Sequence, residues 1–547
     1  MPTLEISKKD LEGLVGKKFS EKELADAMLF VKGEIDKTEG DRLTVDIKET
    51  NRPDLWSAEG IARELRGRLG IEKGMPKMKF AKSGIKVIID RNTQNVRPKV
   101  ACALIKDAKI TEESLKQLIQ LQEKVCQTFG RKRKEAAIGV YEIDKLVPPI
   151  HYKAFSPADK KFVPLDFSEE MTLKEILEMH PKGKEYGHLI KGSPQYPVWC
   201  DSKGTVASLS PIINSELTGK ISTKTKNVFV EVSGFDQDTV NTALLVVVGA
   251  FIQRGGKAYS TELVYPSKKI TSPVFEAKKI SVDLAYANKI IGKEKKPKEI
   301  LDLLLRARFD AKIKGKKIEA FYPNYRKDIL HPIDVIEDIL ISFGFNNFEP
   351  QKTTMAVTGS TLENTRLVEN ARETCIGLGL QEVLTFTMTS KEKQEKKLSL
   401  KEQKFVEIEN PISANYEIFR KQIFPELLEF LSKNKKARFP QKIFEIGKAL
   451  QLDEKEETGV KEKTALCMVL SGKGSDFSNA RSALESVCKN FSWNVSLEET
   501  SLPFLEKGKR ATVNIHGRKG MVGELSEDCK KEFKIEENTS IVEIELE

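Results

Sequence analysis

Hydrophobic and polar positions change period several times along the chain. Leu43, Val45 and Ile47 alternate with Thr44 and Asp46, the two-residue repeat of a half-buried strand. Leu55, Ala58, Ala62, Leu65 and Leu69 then recur at helical spacing. This predicts a helix opened by Asn51-Arg52-Pro53-Asp54 and closed by Gly70, with proline near its start and glycine at its end. Residues 1–80 therefore read as a small α/β unit, and 70–84 as a linker. In 85–265 the pattern predicts strands at Ile85–Ile89, Val206–Leu209 and Val228–Val232, and helices at Glu112–Thr128 and Gln237–Gln253. The last is apolar almost all round (Val240, Ala243, Leu244, Val247, Val248, Phe251), as a buried helix is. Residues 268–350 carry helices at Pro297–Ala307 and Ile333–Phe343. In 355–547, helices (Thr365–Leu378, Phe424–Leu431, Asn479–Phe491) mix with strands (Ile443–Leu450, Ala465–Ser471, Ala511–Ile515, Ile541–Leu546). Glycine-containing turns such as His516-Gly517-Arg518-Lys519-Gly520 join consecutive strands there, which favours an antiparallel sheet. The class is a multidomain α/β and α+β protein. No fixed-period repeat points to a solenoid or propeller.

Composition narrows this further. At roughly 100–200 residues per domain, 547 residues imply several domains. With 39% hydrophobic and 31% charged residues, the chain forms cores rather than staying disordered. The longest apolar run, Ala243 to Ile252, has ten residues, against about 20 for a bilayer-spanning helix. The start, MPTLEISKKDLEGL, has no apolar signal core, so neither secretion nor a membrane is expected. Seven cysteines (102, 126, 200, 375, 467, 488, 529) are scattered and none forms a CxxC pair. That argues against a disulfide framework or structural zinc and for a reducing, cytoplasmic setting. The five histidines form no HExxH. The net charge of +10 permits a nucleic-acid partner without requiring one.

Three segments carry candidate chemistry. Asp328 lies in the loop Tyr325-Arg326-Lys327-Asp328, and Pro332 opens a helix bearing Asp334, Glu337 and Asp338 at i, i+3 and i+4. These three share one face, with Ile333, Ile336, Leu340 and Phe343 on another, and four carboxylates converging with Asp328 and no basic neighbour on that face suit Mg²⁺ or Ca²⁺. The same acids near a helix start also complement its dipole. Ser208-Leu209-Ser210-Pro211-Ile212-Ile213-Asn214-Ser215 and Glu231-Val232-Ser233-Gly234-Phe235-Asp236 are two strand ends rich in polar groups, which can line a small pocket or serve only as turns and a helix N-cap. Gly130-Arg131-Lys132-Arg133-Lys134 either binds phosphate or is a solvated charged loop. No P-loop, GxSxG elbow, kinase signature or dinucleotide fingerprint occurs.

Together the segments resemble the β subunit family of phenylalanine–tRNA ligase, of archaeal and eukaryotic type. The resemblance rests on DIKETNRPDLWSAEGIARELRG (46–67), RKRKEAAIGVYEIDKL (131–146), SPIINSELTGKISTKTKNVFVEVSG (210–234), YRKDILHPIDVIEDILISFGFNN (325–347) and ENPISANYEIFRKQIFPELLEFLSKNKKARFPQKIFEIGKAL (409–450). It covers essentially the whole chain, in order. The resemblance implies an N-terminal domain (1–80), a B3/B4 editing domain (85–265), a B5 domain with a metal site (268–350) and a degenerate class II synthetase-like domain (355–547). It implies an (αβ)₂ heterotetramer whose α subunit binds ATP and attaches phenylalanine to tRNA(Phe), while the β subunit hydrolyses mischarged Tyr-tRNA(Phe).

Residue by residue, the resemblance implies a Mg²⁺ site at Asp328, Asp334, Glu337 and Asp338. It implies an editing pocket at Ser210, Asn214, Thr223, Thr225, Asn227, Ser233 and Asp236, with Asp236 capping a helix through one oxygen and offering the other to substrate. Phe235 stands where the family pattern has threonine, and Ser233 where threonine is common, which motivates an alternative: a tRNA-binding scaffold subunit without editing. A freestanding metal-dependent hydrolase is a second alternative. The last domain keeps Arg420 at a position resembling class II motif 2, but 519–547 has no arginine. A triphosphate cannot be clamped at both ends that way, so no cofactor-binding residue is expected in this chain.

Overall fold

The computed structural model describes residues 2–350 and 352–547. The chain divides into two compact units, 1–352 and 353–547. In the first unit, the alternation around Leu43 becomes Arg42–Ile47, the central strand of an antiparallel sheet with Thr3–Ser7 and Gly33–Glu39. Leu43, Val45 and Ile47 face the core. The helix that follows begins later than its apolar spacing predicts. Pro53–Leu55 makes a single 3-10 turn. Ser57 is extended and its hydroxyl accepts the Gly60 N–H, so the α-helix runs Ala58–Arg68. A Cβ at Gly60 would stand 1.7 Å from the Asp54 carbonyl oxygen; the turn lies against the helix only because residue 60 has no side chain.

A mixed sheet of ten strands occupies 81–272. Strand Val228–Gly234 lies between Lys99–Lys106 and Ala136–Glu142, antiparallel to both. Ala81–Ile89 is longer than predicted, taking in the end of the expected linker, and runs parallel to both its neighbours, Ile150–Phe155 and Lys257–Val264. The apolar helix is found at Gln237–Gln253, packed on strands Lys99–Lys106 and Val228–Gly234 and buried from Val240 to Phe251. A third sheet, with Lys317–Pro323 between Ala277–Asp283 and Asp310–Lys314, shares a core with helices Pro297–Arg306 and Pro332–Phe343. On the latter helix Val335, Ile336 and Ile339 are buried, while Ile333, expected in the core, is half exposed.

The second unit is built on a seven-stranded sheet, antiparallel except for the short parallel pairing of Gln381–Glu382 with Gln441–Leu452. Strand Val460–Ser471 shows why it is covered on both faces. Leu466, Met468 and Leu470 enter one core with helices Glu363–Gly377 and Phe477–Asn490. Ala465, Cys467 and Val469 enter the other with helix Phe424–Lys433, following the two-residue repeat. Among the described residues no helix is long and apolar enough to cross a membrane.

Candidate functional site

Strand Val228–Gly234 sends the Glu231 side chain into a cavity of about 180 Å³ in the first unit, lined also by Ser208, Ser210, Asn214, His180 and Arg133. The register sets Gly139 beside Glu231, and a Cβ at 139 would fall 2.2 Å from the Tyr141 hydroxyl and 2.4 Å from Glu231 Oε1. The missing side chain makes room for the carboxyl. Tyr141 donates to Glu231 Oε1 at 2.9 Å and shares a 2.7 Å hydrogen bond with Ser208. Glu231 Oε2 is buried without a partner. Burial raises the Glu231 carboxyl to about 8, against the opposing pull of the Tyr141 hydrogen bond and the Arg97 charge.

The floor is braced from below. Ser210 Oγ lies 2.7 Å from Ser233 Oγ. Arg97, buried at 1% exposure, donates to Ser233 Oγ (3.2 Å), to the Ser233 carbonyl (2.5 Å) and to the Lys134 carbonyl (3.0 Å). Asn214 donates to the Val140 carbonyl. Of the residues expected here, Ser210 and Asn214 line the cavity and Ser233 supports it. Thr223, Thr225, Asn227 and Asp236 do not line it. Thr225 closes a turn onto Ser222, Thr223 is exposed, and Asn227 bonds Asp144. Asp236 is exposed, and its Oδ2 accepts the N–H and the hydroxyl of Thr239 as the cap of helix Gln237–Gln253. The Thr239 N–H holds its carboxyl below the usual range. Phe235, which stands where the family pattern has threonine, is 46% exposed and lies over the Arg97 guanidinium.

In the sequence Glu231 stands out only as the first residue of the Glu231–Asp236 segment that the family resemblance assigns to the editing pocket, and Tyr141 does not stand out. Their signal was a glutamate and a tyrosine in mid-strand among mostly apolar residues, with Gly139 opposite the glutamate.

The four acidic residues of 328–338 do come together. With Glu49, they line a cavity of about 80 Å³ that also carries Lys32, Arg52 and Arg68. The expectation of no basic neighbour is corrected here. Asp338 is buried between Arg68 and Arg326, and Arg326 also grips Asp328. Arg52 pairs with Asp54 and Glu64 (2.8 and 3.2 Å) and stands 3.8 Å from Asp328. Lys32 bridges Glu49 and Glu337. Burial pushes the Asp338 carboxyl up, but Arg326, Arg68 and Arg52 outweigh it and hold it far below the usual range. Asp334 accepts the Leu330 and His331 N–H groups. Among the described residues no group of three or more His, Cys, Asp or Glu side chains stands ready to hold a metal ion.

In the second unit Arg420 is buried. Its guanidinium bonds Glu445 (2.6 Å), Thr385 (2.8 Å) and the Lys448 carbonyl (2.9 Å), all within the fold.

Family models match three stretches of the chain. Residues 87–244 match a B3/4 domain, 280–345 a tRNA synthetase B5 domain, and 350–546 a phenylalanyl tRNA synthetase beta chain CLM domain. Folds and matches together define a subunit of an aminoacyl-tRNA ligase. The phenylalanine–tRNA ligase beta subunit of Pyrococcus furiosus is 43% identical over 98% of this chain and 97% of its own. That of Archaeoglobus fulgidus is 34% identical over 100% and 98%. An N-terminal fragment of the phenylalanyl-tRNA synthetase beta subunit from Pyrococcus horikoshii is 46% identical, with a TM-score of 0.61, covering 63% of this chain and all of the fragment. The chain belongs to the phenylalanine–tRNA ligase beta subunit family.

Proposed function

We propose that this chain pairs with an α subunit as an (αβ)₂ phenylalanine–tRNA ligase in the cytoplasm, supports charging of tRNA(Phe) there, and itself hydrolyses Tyr-tRNA(Phe) in the Glu231 cavity. Its domains are 1–80, the B3/B4 editing domain over the ten-stranded sheet at 81–272, B5 at 277–350, and an inactive synthetase-like domain at 355–547. The observation that carries the editing reading is the unpartnered Glu231 Oε2 in a buried cavity. Tyrosine and phenylalanine differ by one hydroxyl. An apolar pocket rejects an added hydroxyl by only about 10²-fold, whereas a site built to hydrogen-bond it discriminates by about 10⁴–10⁵. A protonated Glu231 donates to the phenol oxygen and an ionised one accepts its O–H. A phenylalanine ring leaves Glu231 Oε2 unpaired in both cases, at a cost of about 1–3 kcal/mol.

Among the described residues no nucleophile–base pair serves the cavity. Ser210 is bonded to Ser233, and His180 is engaged by the Leu165 carbonyl and the Lys182 N–H. Ester cleavage therefore relies on a positioned water and on orientation of the ester. The scaffold-only alternative drew on Phe235, whose ring lies over Arg97 and does not line the cavity. Arg420, with its guanidinium engaged inside the fold, supports an inactive synthetase-like domain.

Family membership implies a Mg²⁺ requirement for the assembly. The acidic cavity keeps a small excess of negative charge, with five carboxylates against Lys32, Arg52 and Arg68 in its lining and Arg326 behind Asp328 and Asp338, which a cation entering it would balance. Asp334, which also holds the Leu330 and His331 N–H groups, and Glu337, once released from Lys32, would be the first ligands of such an ion, with Asp328 and Asp338 shared with Arg326. The arginines make this an ion at a structural junction rather than a hydrolytic centre.

Deacylation of preformed Tyr-tRNA(Phe) by the reconstituted α–β assembly tests the editing reading. Glu231→Ala should slow it by about 10²-fold or more, with Phe-tRNA(Phe) left intact by both proteins. Asp236→Ala should lose about 1 kcal/mol of stability with its cap and keep the wild-type rate. An unchanged rate in Glu231→Ala sinks the assignment.

A further inference from the structure

The basic run Gly130–Lys134 follows helix Glu112–Gln127, and the structure gives it a shape that a merely solvated loop does not need. Arg131, Lys132 and Arg133 have φ of 47°, 54° and 66°, three successive side-chain-bearing residues in left-handed backbone, which such residues rarely adopt. The turn is closed by its own hydrogen bonds. The N–H groups of Gly130, Arg131, Lys132 and Arg133 donate to carbonyls of Val125, Thr128, Gln127 and Cys126, and those of Lys134 and Glu135 to Arg131 and Gly130. A Cβ at Gly130 would stand 2.2 Å from the Ala136 carbonyl oxygen, so the loop is wound as tightly as a glycine allows.

The loop is also fixed to the rim of the Glu231 cavity. Arg133 points inward and lines the cavity. It donates to the Pro211 and Ile212 carbonyls (3.2 and 2.7 Å), pairs with Glu123 at 2.9 Å and lies over the Tyr186 ring. Arg131, Lys132 and Lys134 point the other way: all three are exposed, and none forms an ion pair among the described residues. One arginine thus anchors a rigid turn while three unpaired cations face solvent beside the cavity mouth.

We infer that the 130–134 turn is a preorganised phosphodiester-binding loop, in which Arg131 and Lys132 hold the backbone of the 3′-terminal acceptor strand whose aminoacyl group enters the cavity. This deepens the editing reading and rests on it for the identity of the ligand. Rigidity matters because cations held in place beforehand lose less entropy on binding, and phosphate contacts set register without reading sequence.

The test uses the α–β assembly and an uncharged acceptor-stem minihelix ending in CCA, with affinity followed against salt concentration. The double substitution Arg131→Ala/Lys132→Ala should weaken binding at least several-fold and reduce the salt slope by about two, roughly one per lost phosphate contact. Lys269→Ala, an exposed cation on strand Lys269–Ser272, should change neither. With Tyr-tRNA(Phe) the double variant should raise KM and leave kcat near wild type, since the cavity is untouched. Equal affinity and slope in wild type and double variant overturn the inference, as does a loss of kcat with unchanged KM. A wild-type assembly that leaves Tyr-tRNA(Phe) intact overturns the editing reading instead, and minihelix binding then still decides the loop.

Discussion

A single carboxyl sets the character of the cavity. Glu231 is buried, holds one hydroxyl and leaves one oxygen free, so its neutral form is favoured up to about pH 8. In an unfolded chain the same group ionises near its ordinary value of 4.5. Between those limits the native state binds a proton that the unfolded state does not. Its contribution to stability is therefore full below about pH 4.5 and is lost as pH rises through about 8, by on the order of 1.4 kcal/mol per pH unit. Glu231→Gln, which cannot ionise, should lose less stability than wild type between pH 5 and 8. Urea midpoints of both proteins at the two pH values measure this, and parallel curves would mean an ordinary carboxyl. At this scale the sequence was a poor guide to role. Glu231 lies in the middle of strand Val228–Gly234 and Asp236 just beyond its end, and nothing local to either says which faces solvent and which is enclosed by Tyr141 and Ser208.

Among elements, helix Pro332–Phe343 shows how neighbours rewrite a local pattern. Its acids read as a self-contained ligand set because they share one face at helical spacing. Arg68, 270 positions away in sequence from Asp338, donates to the Asp338 carboxylate and carbonyl and to Ser342. Removing one partner of a buried, hydrogen-bonded pair costs about 3–5 kcal/mol, so Arg68→Met should destabilise the chain by that order in chemical denaturation. A loss below about 1 kcal/mol would show the pair to be dispensable. Asp334→Ala/Glu337→Ala touches no arginine. It should abolish Mg²⁺ binding by titration calorimetry and weaken association with the α subunit, and undiminished Mg²⁺ binding would remove the ion from this cavity. Ser57 teaches the same lesson in small: apolar spacing placed a helix around Leu55, but the hydroxyl cap and Gly60 decided where it starts.

For the whole molecule, the synthetase-like unit has a complete sheet and an arginine committed to Glu445, Thr385 and Lys448. The isolated chain should therefore show no phenylalanine-dependent exchange of pyrophosphate into ATP, and exchange should appear when the α subunit is added. Exchange by the chain alone would contradict an inactive domain.

The sequence by itself determined the class, the family and most elements. Period-2 and period-3.6 burial are written into consecutive residues, and long motifs in fixed order carry family membership whatever their packing. It placed a buried helix at about Gln237–Gln253, where one is found, because a helix apolar almost all round is stable only inside. Only the tertiary structure decided which polar groups share a cavity. Glu231, Tyr141 and Ser208 meet across strands, and Arg52 and Arg68 reach the acids of 328–338 from far away in sequence, joining Arg326 of the same loop. Whether a carboxylate faces water, a hydroxyl or an arginine depends on distances between residues far apart in sequence, and those are fixed only when the sheets and helices pack.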